Sequence, residues 1–278
     1  MGLTNYHCHC NYCDGRGTIE EFILKAIEFN ITTLGISSHA PVPFATRWNI
    51  SIDEVDNYIN ELKHLKEKYK KDIELLMALE VDYIPRVMGP GDSSIKDMGL
   101  DYVIGSVHFM GVLNDGTQWT MDGSIDDFLN GLKEIYSSDI KSLVREYYKR
   151  ERDMVKGSMP DIIAHMDKVK MQSKKANLFD ESEGWYRDEL RHTLEVIRDF
   201  GTIVEINTKL FPGRGYFIPG NEYFKWLKEL NIPIVINSDA HDPHKLIIGF
   251  TEAAEMLKAA GIKYKQEFID GEWRGVGM

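Results

Sequence analysis

Short apolar runs that end in a histidine or an acid, separated by helix-length amphipathic segments, constrain this chain more than any other feature. Six of its nine histidines stand at such ends. The first run, Leu3-Thr4-Asn5-Tyr6-His7-Cys8-His9, finishes in His-x-His. Runs 35–39, 103–108 and 162–165 finish in His39, His108 and His165. The run from 235 ends in Asp239-Ala240-His241, and the run from 76 ends in Glu80. Histidine is not a strand-ending residue by propensity, and neutral imidazole is the commonest protein ligand for zinc-like metals. In a parallel α/β barrel the strand ends converge on one face, where active sites form. Residues far apart in sequence can therefore build one metal cluster.

The apolar periodicity predicts seven strands, at 3–9, 33–39, 74–82, 101–108, 161–165, 202–207 and 232–239. Helices are expected at about 18–30, 51–71, 125–156, 186–200, 222–230 and 243–260. Thr18 with Glu21, and Ser51 with Glu54, have the spacing of capping boxes. A polar stretch follows at 114–123, and two long loops, a charged one at 167–184 and a Gly/Pro-rich one at 212–220, are expected to form a lid or substrate pocket over the strand ends. The tail, with Phe268 and Trp273, is expected to cap the barrel. Strands alternating with helices imply a parallel sheet with right-handed crossovers. The fold class is α/β, a single domain over 1–278 in the form of a distorted (βα)7 TIM-like barrel, one unit short of the eight-stranded kind.

A net charge of −11 disfavours a sequence-independent nucleic-acid binder, which needs a basic footprint. No apolar run approaches the ~20 residues of a membrane span, and no secretion signal opens the chain. A cytoplasmic protein is expected, with no nucleic-acid or membrane partner and an unspecified oligomeric state. The three cysteines, Cys8, Cys10 and Cys13, lack the second Cys/His pair of a zinc knuckle. They are expected to be reduced thiols, with Cys8 packed under a helix, because strand side chains alternate.

His7 and His9 are two apart, so on a strand both face the same side, and Asp239 and His241 repeat that spacing. Glu80 ends an apolar strand, where an unpaired carboxylate is costly. Bridging two cations removes that cost. From spacing alone Asp14, in Cys13-Asp14-Gly15, reads as a simple Asp-Gly turn. Any one of these histidines could be a satisfied core residue; six, with two acids, at corresponding strand ends are hard to explain so. Nine candidate ligands, His7, His9, Asp14, His39, Glu80, His108, His165, Asp239 and His241, exceed what one or two metals with open positions need. Three divalent ions (zinc, manganese or iron) are the natural count. His64 and His192 fall within predicted amphipathic helices and are expected at the surface, and His244, three after His241, is expected to start a helix.

With these segments in view, the chain resembles the PHP (polymerase and histidinol phosphatase) superfamily over essentially its whole length, and most of all its histidinol-phosphate phosphatase branch. The matching segments are Asn5–Tyr6-His7-Cys8-His9, Ile36-Ser37-Ser38-His39-Ala40-Pro41, Leu79-Glu80-Val81-Asp82-Tyr83, Gly105-Ser106-Val107-His108, Ala164-His165-Met166-Asp167, Glu205-Ile206-Asn207-Thr208 and Asn237-Ser238-Asp239-Ala240-His241. The resemblance implies a distorted (βα)7 barrel with a trinuclear metal site. It also implies three groupings: His7, His9, Glu80 and Asp239; Glu80, His108 and His165; and Asp14, His39 and His241.

The implied reaction is hydrolysis of a phosphate monoester by a metal-bridging hydroxide. The implied substrate is L-histidinol phosphate, cleaved to L-histidinol and phosphate in histidine biosynthesis. Glu80, Asp239 and His241 are expected to carry the chemistry. Three divalent ions bring roughly +6 against about −4 from Asp14, Glu80, Asp239 and a hydroxide, which suits a phosphate dianion. Arg16, Lys209 and Arg214 are the expected substrate contacts, with Arg187 a weaker one. Asp82 or Asp167 is expected to meet the cationic end of histidinol phosphate. Alternatives are a phosphoesterase acting on a nucleotide or other small ester, an amidohydrolase, and a degenerate barrel that only binds metal or a partner.

Overall fold

A computed structural model describes residues 2–278. Seven parallel strands form one sheet: β1 (Leu3–Asn5), β2 (Ile31–Ile36), β3 (Glu74–Asp82), β4 (Tyr102–Ser106), β7 (Ile162–Ile163), β8 (Ile203–Asn207) and β9 (Ile234–Asn237), in that order. Two hairpins lie outside it: β5 (Phe109–Val112) with β6 (Gln118–Thr120), and β10 (Tyr264–Ile269) with β11 (Glu272–Gly277). The helices are α1 (Ile19–Glu28), α2 (Val55–Tyr69), the single turn α3 (Ser93–Lys96), α4 (Ile125–Tyr136), α5 (Ile140–Ser158), α6 (Lys170–Ala176), α7 (Gly184–Phe200), the single turn α8 (Phe211–Arg214), α9 (Phe224–Glu229) and α10 (Phe250–Ala259).

The first and last strands of the sheet meet beyond their regular ends. Cys8 and Ala240 form a parallel bridge, in which the His9 amide donates to Ala240 O at 2.9 Å. The barrel therefore closes at the level of the ligand-type residues, and just below them the seam between β1 and β9 is held by side chains. Asn237 Oδ1 accepts from the Tyr6 amide at 2.9 Å, and Asn5 Nδ2 donates to Ser238 Oγ at 2.7 Å. β1 is shorter than the sequence predicts because the Asn5 side chain takes the His7 amide, at 3.1 Å, away from the ladder. Alternation still holds: Cys8 is buried under α1 and donates to Gly35 O. Gly35 has no alternative, since a Cβ there would lie 1.8 Å from Tyr102 Oη, which crosses the barrel interior to Tyr6 O.

The tail caps the N-terminal end of the barrel, as expected. Phe268 and Trp273 pack on Tyr6 and Tyr102, with Trp273 edge-on to Tyr6 at 4.9 Å. The Thr18 capping box forms, but the Ser51 one does not. Ser51 O instead accepts the Glu54 amide in a 3-10 turn, Glu54 Oε2 accepts from Asn57, and α2 starts only at Val55.

Three further expectations are corrected. The polar stretch 114–123 belongs to the β5–β6 hairpin, turned at Asp115-Gly116. The helix expected at 125–156 is two helices, broken at Ser137 and Ser138, both at positive φ; Asp139 then caps α5. The charged loop 167–184 contains α6. Among the described residues no helix is long and apolar enough to cross a membrane.

Candidate metal centre

Glu80 is the hub of the C-terminal face of the barrel. β3 delivers it, almost fully buried, into a ring of imidazoles. Its Oε2 lies 2.9 Å from His39 Nδ1, 3.3 Å from His7 Nε2 and 3.5 Å from His9 Nε2. Its Oε1 lies 2.9 Å from His165 Nε2 and 3.6 Å from His108 Nε2. Asp239 Oδ1 lies 3.3 Å from His9 Nε2 and 3.9 Å from His7 Nε2. Asp14 folds back over the mouth, with Oδ1 3.3 Å from His241 Nε2 and 3.9 Å from His39 Nε2. The loop can do this because Gly15 lies against the backbone of His9, where a Cβ would stand 2.0 Å from the carbonyl oxygen.

All nine ligand-type residues named from the sequence are thus brought to one place. Eight of the nine have donor atoms in sets close enough to share an ion: His7, His9 and Asp239; His9, Asp14, His39 and His241; and His39, Glu80 and His108; the ninth, His165, lies outside these sets, against Glu80. These overlap the three groupings the resemblance implies, with His39 and His9 at the seams. Asp239 and His165 sit at positive φ, 49° and 26°. Non-glycine residues held there carry backbone strain, which collects at functional sites.

The donor set fits cations. His7 Nε2, His9 Nε2, His39 Nδ1 and Glu80 Oε2 are buried without hydrogen-bond partners, although they face one another. Buried polar atoms are rarely left so, and a shared ion would satisfy them together. Burial, with the neighbouring His241 and His39 rings, holds His9 well below the usual histidine range. Burial and then Lys168 push His165 down to about 4. Both are therefore neutral and able to bind a metal. Burial works against a proton on His7 too, but Glu205, Glu80 and Asp239 outweigh it and hold its pKa well above normal. Such a field favours a positive charge at Nε2, whether a proton or a metal ion. Burial likewise opposes charge on Glu80, but the surrounding imidazoles keep it ionised.

Two buried acids orient the rings. Glu205, on β8, accepts from His7 Nδ1 at 2.6 Å and from the His165 amide at 3.0 Å. Asp82, at the end of β3, accepts from both the backbone N–H and Nδ1 of His108, each at 3.0 Å. A carboxylate behind a metal-facing histidine fixes its tautomer and raises its basicity.

Over the cluster lies a cavity of about 420 Å³, walled by Trp48, Asp122, Lys168, Met171, Lys209 and Ile218. Of the expected substrate contacts, Lys209 lines it, with Nζ 3.1 Å from Asp239 Oδ1 and 3.2 Å from His241 Nδ1. Arg16 and Arg214 are exposed outside it; Arg214 instead reaches the Tyr216 hydroxyl. Arg187 lies over the Trp226 ring. Neither Asp82 nor Asp167 faces the cavity. Asp82 is committed to His108. Asp167 is committed to Lys170 at 2.7 Å and to the hydroxyls of Tyr148 and Tyr186.

Asp122, Lys168 and Trp48 were not singled out from the sequence. Lys168 had a signal: it lies three residues after His165, in a turn whose Lys168 amide donates to His165 O. Asp122 and Trp48 sit in irregular segments with no periodicity to place them.

The PHP domain model matches residues 5–209, nearly three quarters of the chain. The chain belongs to the PHP domain family. It is 25% identical over 266 residues to a protein of Deinococcus radiodurans named probable histidinol-phosphatase, covering 94% of each chain. It is also 25% identical to the histidinol-phosphatase of Bacillus subtilis, covering 84% of this chain and 92% of that one. A crystal structure of the Lactococcus lactis histidinol phosphate phosphatase, complexed with zinc, L-histidinol and phosphate, superposes with a TM-score of 0.73 at 19% identity, covering 98% of both chains. That similarity confirms the fold: a nearly closed seven-stranded parallel barrel of the PHP kind.

Proposed function

We propose that this protein is a metal-dependent phosphate monoester hydrolase that converts L-histidinol phosphate to L-histidinol and phosphate. The observation that carries the reading is the row of unpartnered imidazole and carboxylate atoms on the floor of a cavity sized for a small ester. The names of its full-length relatives point to the same substrate.

His7, His9, Glu80 and Asp239 would hold one divalent ion, Glu80, His108 and His165 a second, and Asp14, His39 and His241 a third. Such ions supply Lewis acidity toward phosphate and lower the pKa of water toward neutrality. The chain's own groups do the rest. Lys209 presents its ammonium beside Asp239 and His241 and meets a phosphate oxygen. Glu205 and Asp82 keep the His7 and His108 rings turned toward Glu80. Asn207 Nδ2 donates to Asp239 Oδ2 at 3.2 Å and holds that carboxylate in place beside the Lys209 ammonium, the group able to give a proton to the leaving oxygen. The setting we propose is cytoplasmic, where the free thiols Cys8, Cys10 and Cys13 stay reduced.

The test is phosphate release from L-histidinol phosphate, beside a nucleoside monophosphate and an aryl phosphate, with protein of known metal content. Preferred turnover of histidinol phosphate, abolished by chelator and restored by metal, is expected. Faster release from the nucleotide would overturn the substrate, and release unaffected by chelation would overturn the chemistry.

A further inference from the structure

Beyond the imidazole cluster, the cavity wall carries an ion pair of its own. Asp122, two residues past β6, places Oδ2 3.0 Å from Lys168 Nζ and 3.6 Å from His108 Nε2. The lysine side chain is 13% exposed and the aspartate 32%, and both line the cavity. Burial opposes the charge on Lys168, but Asp122, then Asp239 and Glu80, keep it protonated. Burial opposes the charge on Asp122 too, and Lys168 and the His108 and His165 rings outweigh it. The pair is not needed as a tether, because Gln172 Nε2 already joins α6 to the carbonyl of Gly123. Trp48 stands against His108, 5.4 Å between ring centroids, and stacks on Phe109 at 5.2 Å. A flat aromatic face and a carboxylate thus flank the same histidine.

We propose that the Asp122–Lys168 pair stands in for a zwitterionic substrate: Lys168 turns to the phosphate, and Asp122 takes a cationic group on the leaving alcohol. The inference rests on the phosphatase reading and adds what the site requires of the leaving group. A phosphate above the cluster draws the ammonium away and leaves Asp122 facing a dianion. A substrate carrying its own ammonium or imidazolium replaces the lost partner, and Trp48 offers a ring face to a planar cation. A neutral leaving group leaves a partly buried carboxylate unpaired, which costs binding. One internal pair is exchanged for two intermolecular ones, so selectivity comes from the mismatch suffered by other esters.

The experiment measures kcat/KM of wild-type, Asp122→Asn and Lys168→Met holoenzymes on L-histidinol phosphate and on phenyl phosphate, with calorimetric binding of L-histidinol and metal content for each. Asp122→Asn is expected to lower the histidinol phosphate value and raise the phenyl phosphate value, so that their ratio falls roughly tenfold or more. L-Histidinol binding in the presence of saturating inorganic phosphate, which draws Lys168 away from Asp122, should weaken by a similar factor, with metal content unchanged. Lys168→Met should lower both values. Asp122→Ser reads the same ratio if the amide disturbs the hairpin.

An unchanged ratio overturns the inference while leaving histidinol phosphate turnover, and so the proposed function, intact. Metal loss in Asp122→Asn also overturns it, making Asp122 a ligand. If the wild type ignores histidinol phosphate but hydrolyses O-phosphoethanolamine with the same dependence on Asp122, the proposed substrate falls and the pair's role stands.

Discussion

Glu205 touches no substrate, yet its neutralisation should disarm the cluster. Its two oxygens accept four donors: His7 Nδ1 at 2.6 Å and Asn237 Nδ2 at 3.0 Å on Oε1, the His165 amide at 3.0 Å and Asn207 Nδ2 at 2.9 Å on Oε2. Glutamine at 205 keeps the shape but offers one acceptor oxygen. Its NH2 must then face two of those donors, in a fully buried position. Two hydrogen bonds are lost and buried donors are left facing each other, at about 1–3 kcal/mol for each unsatisfied group. Relief from burying a carboxylate offsets part of this, so the metal-free variant should lose about 2–4 kcal/mol.

The effect on metal is separate. His7 loses the anion that fixes its tautomer and favours positive charge at Nε2. Loss of such a partner typically costs 10–100-fold in metal affinity. The assay is competitive titration with a chromophoric chelator, beside urea unfolding of the metal-free protein. Glu205→Gln binding metal within twofold of wild type would refute the reasoning, whatever its stability.

Other consequences follow from the same contacts. Lys209→Met should lower kcat/KM for phosphate monoesters by about 10–100-fold, the worth of a hydrogen bond between charged groups, with metal content retained; loss of metal instead would make Lys209 part of the ligand scaffold. Glu151, buried on α5 with Oε2 unpartnered, has its pKa raised well above normal by burial, against a bond from Tyr147. The folded protein therefore holds a proton there that the unfolded chain releases above pH ~4.5, so this group's contribution falls as pH rises toward its folded pKa. Glu151→Gln should match wild type in urea unfolding near pH 4 and exceed it at pH 8; equal stability at pH 8 would refute that assignment.

The barrel was legible because parallel strands buried on both faces read as continuous apolar runs, and because each run carried its ligand to the same end. His7 and His9 followed from alternation, and Glu80 from the cost of an acid in an apolar strand. Asp14 could be placed only by resemblance, since Asp-Gly reads as a turn wherever it stands. The β5–β6 hairpin was hidden because apolar β5 follows β4 almost without a break and β6 is only three residues long. The break at Ser137-Ser138 was hidden because the helical pattern resumes at once on the other side. Basic loop residues were the weakest expectation. Arg16, Arg214 and Lys209 look alike in sequence, and only the course of the backbone separates the one that faces the cavity from the two that face solvent.

The most direct test of the trinuclear centre is metal analysis by mass spectrometry, run in parallel with phosphate release, on wild type and Glu80→Gln. The account predicts about three divalent ions per wild-type chain, loss of metal in the variant, and phosphate release that falls with it. A metal-free protein that still hydrolyses phosphate monoesters at the wild-type rate, or a Glu80→Gln variant with full metal content and full activity, would contradict it.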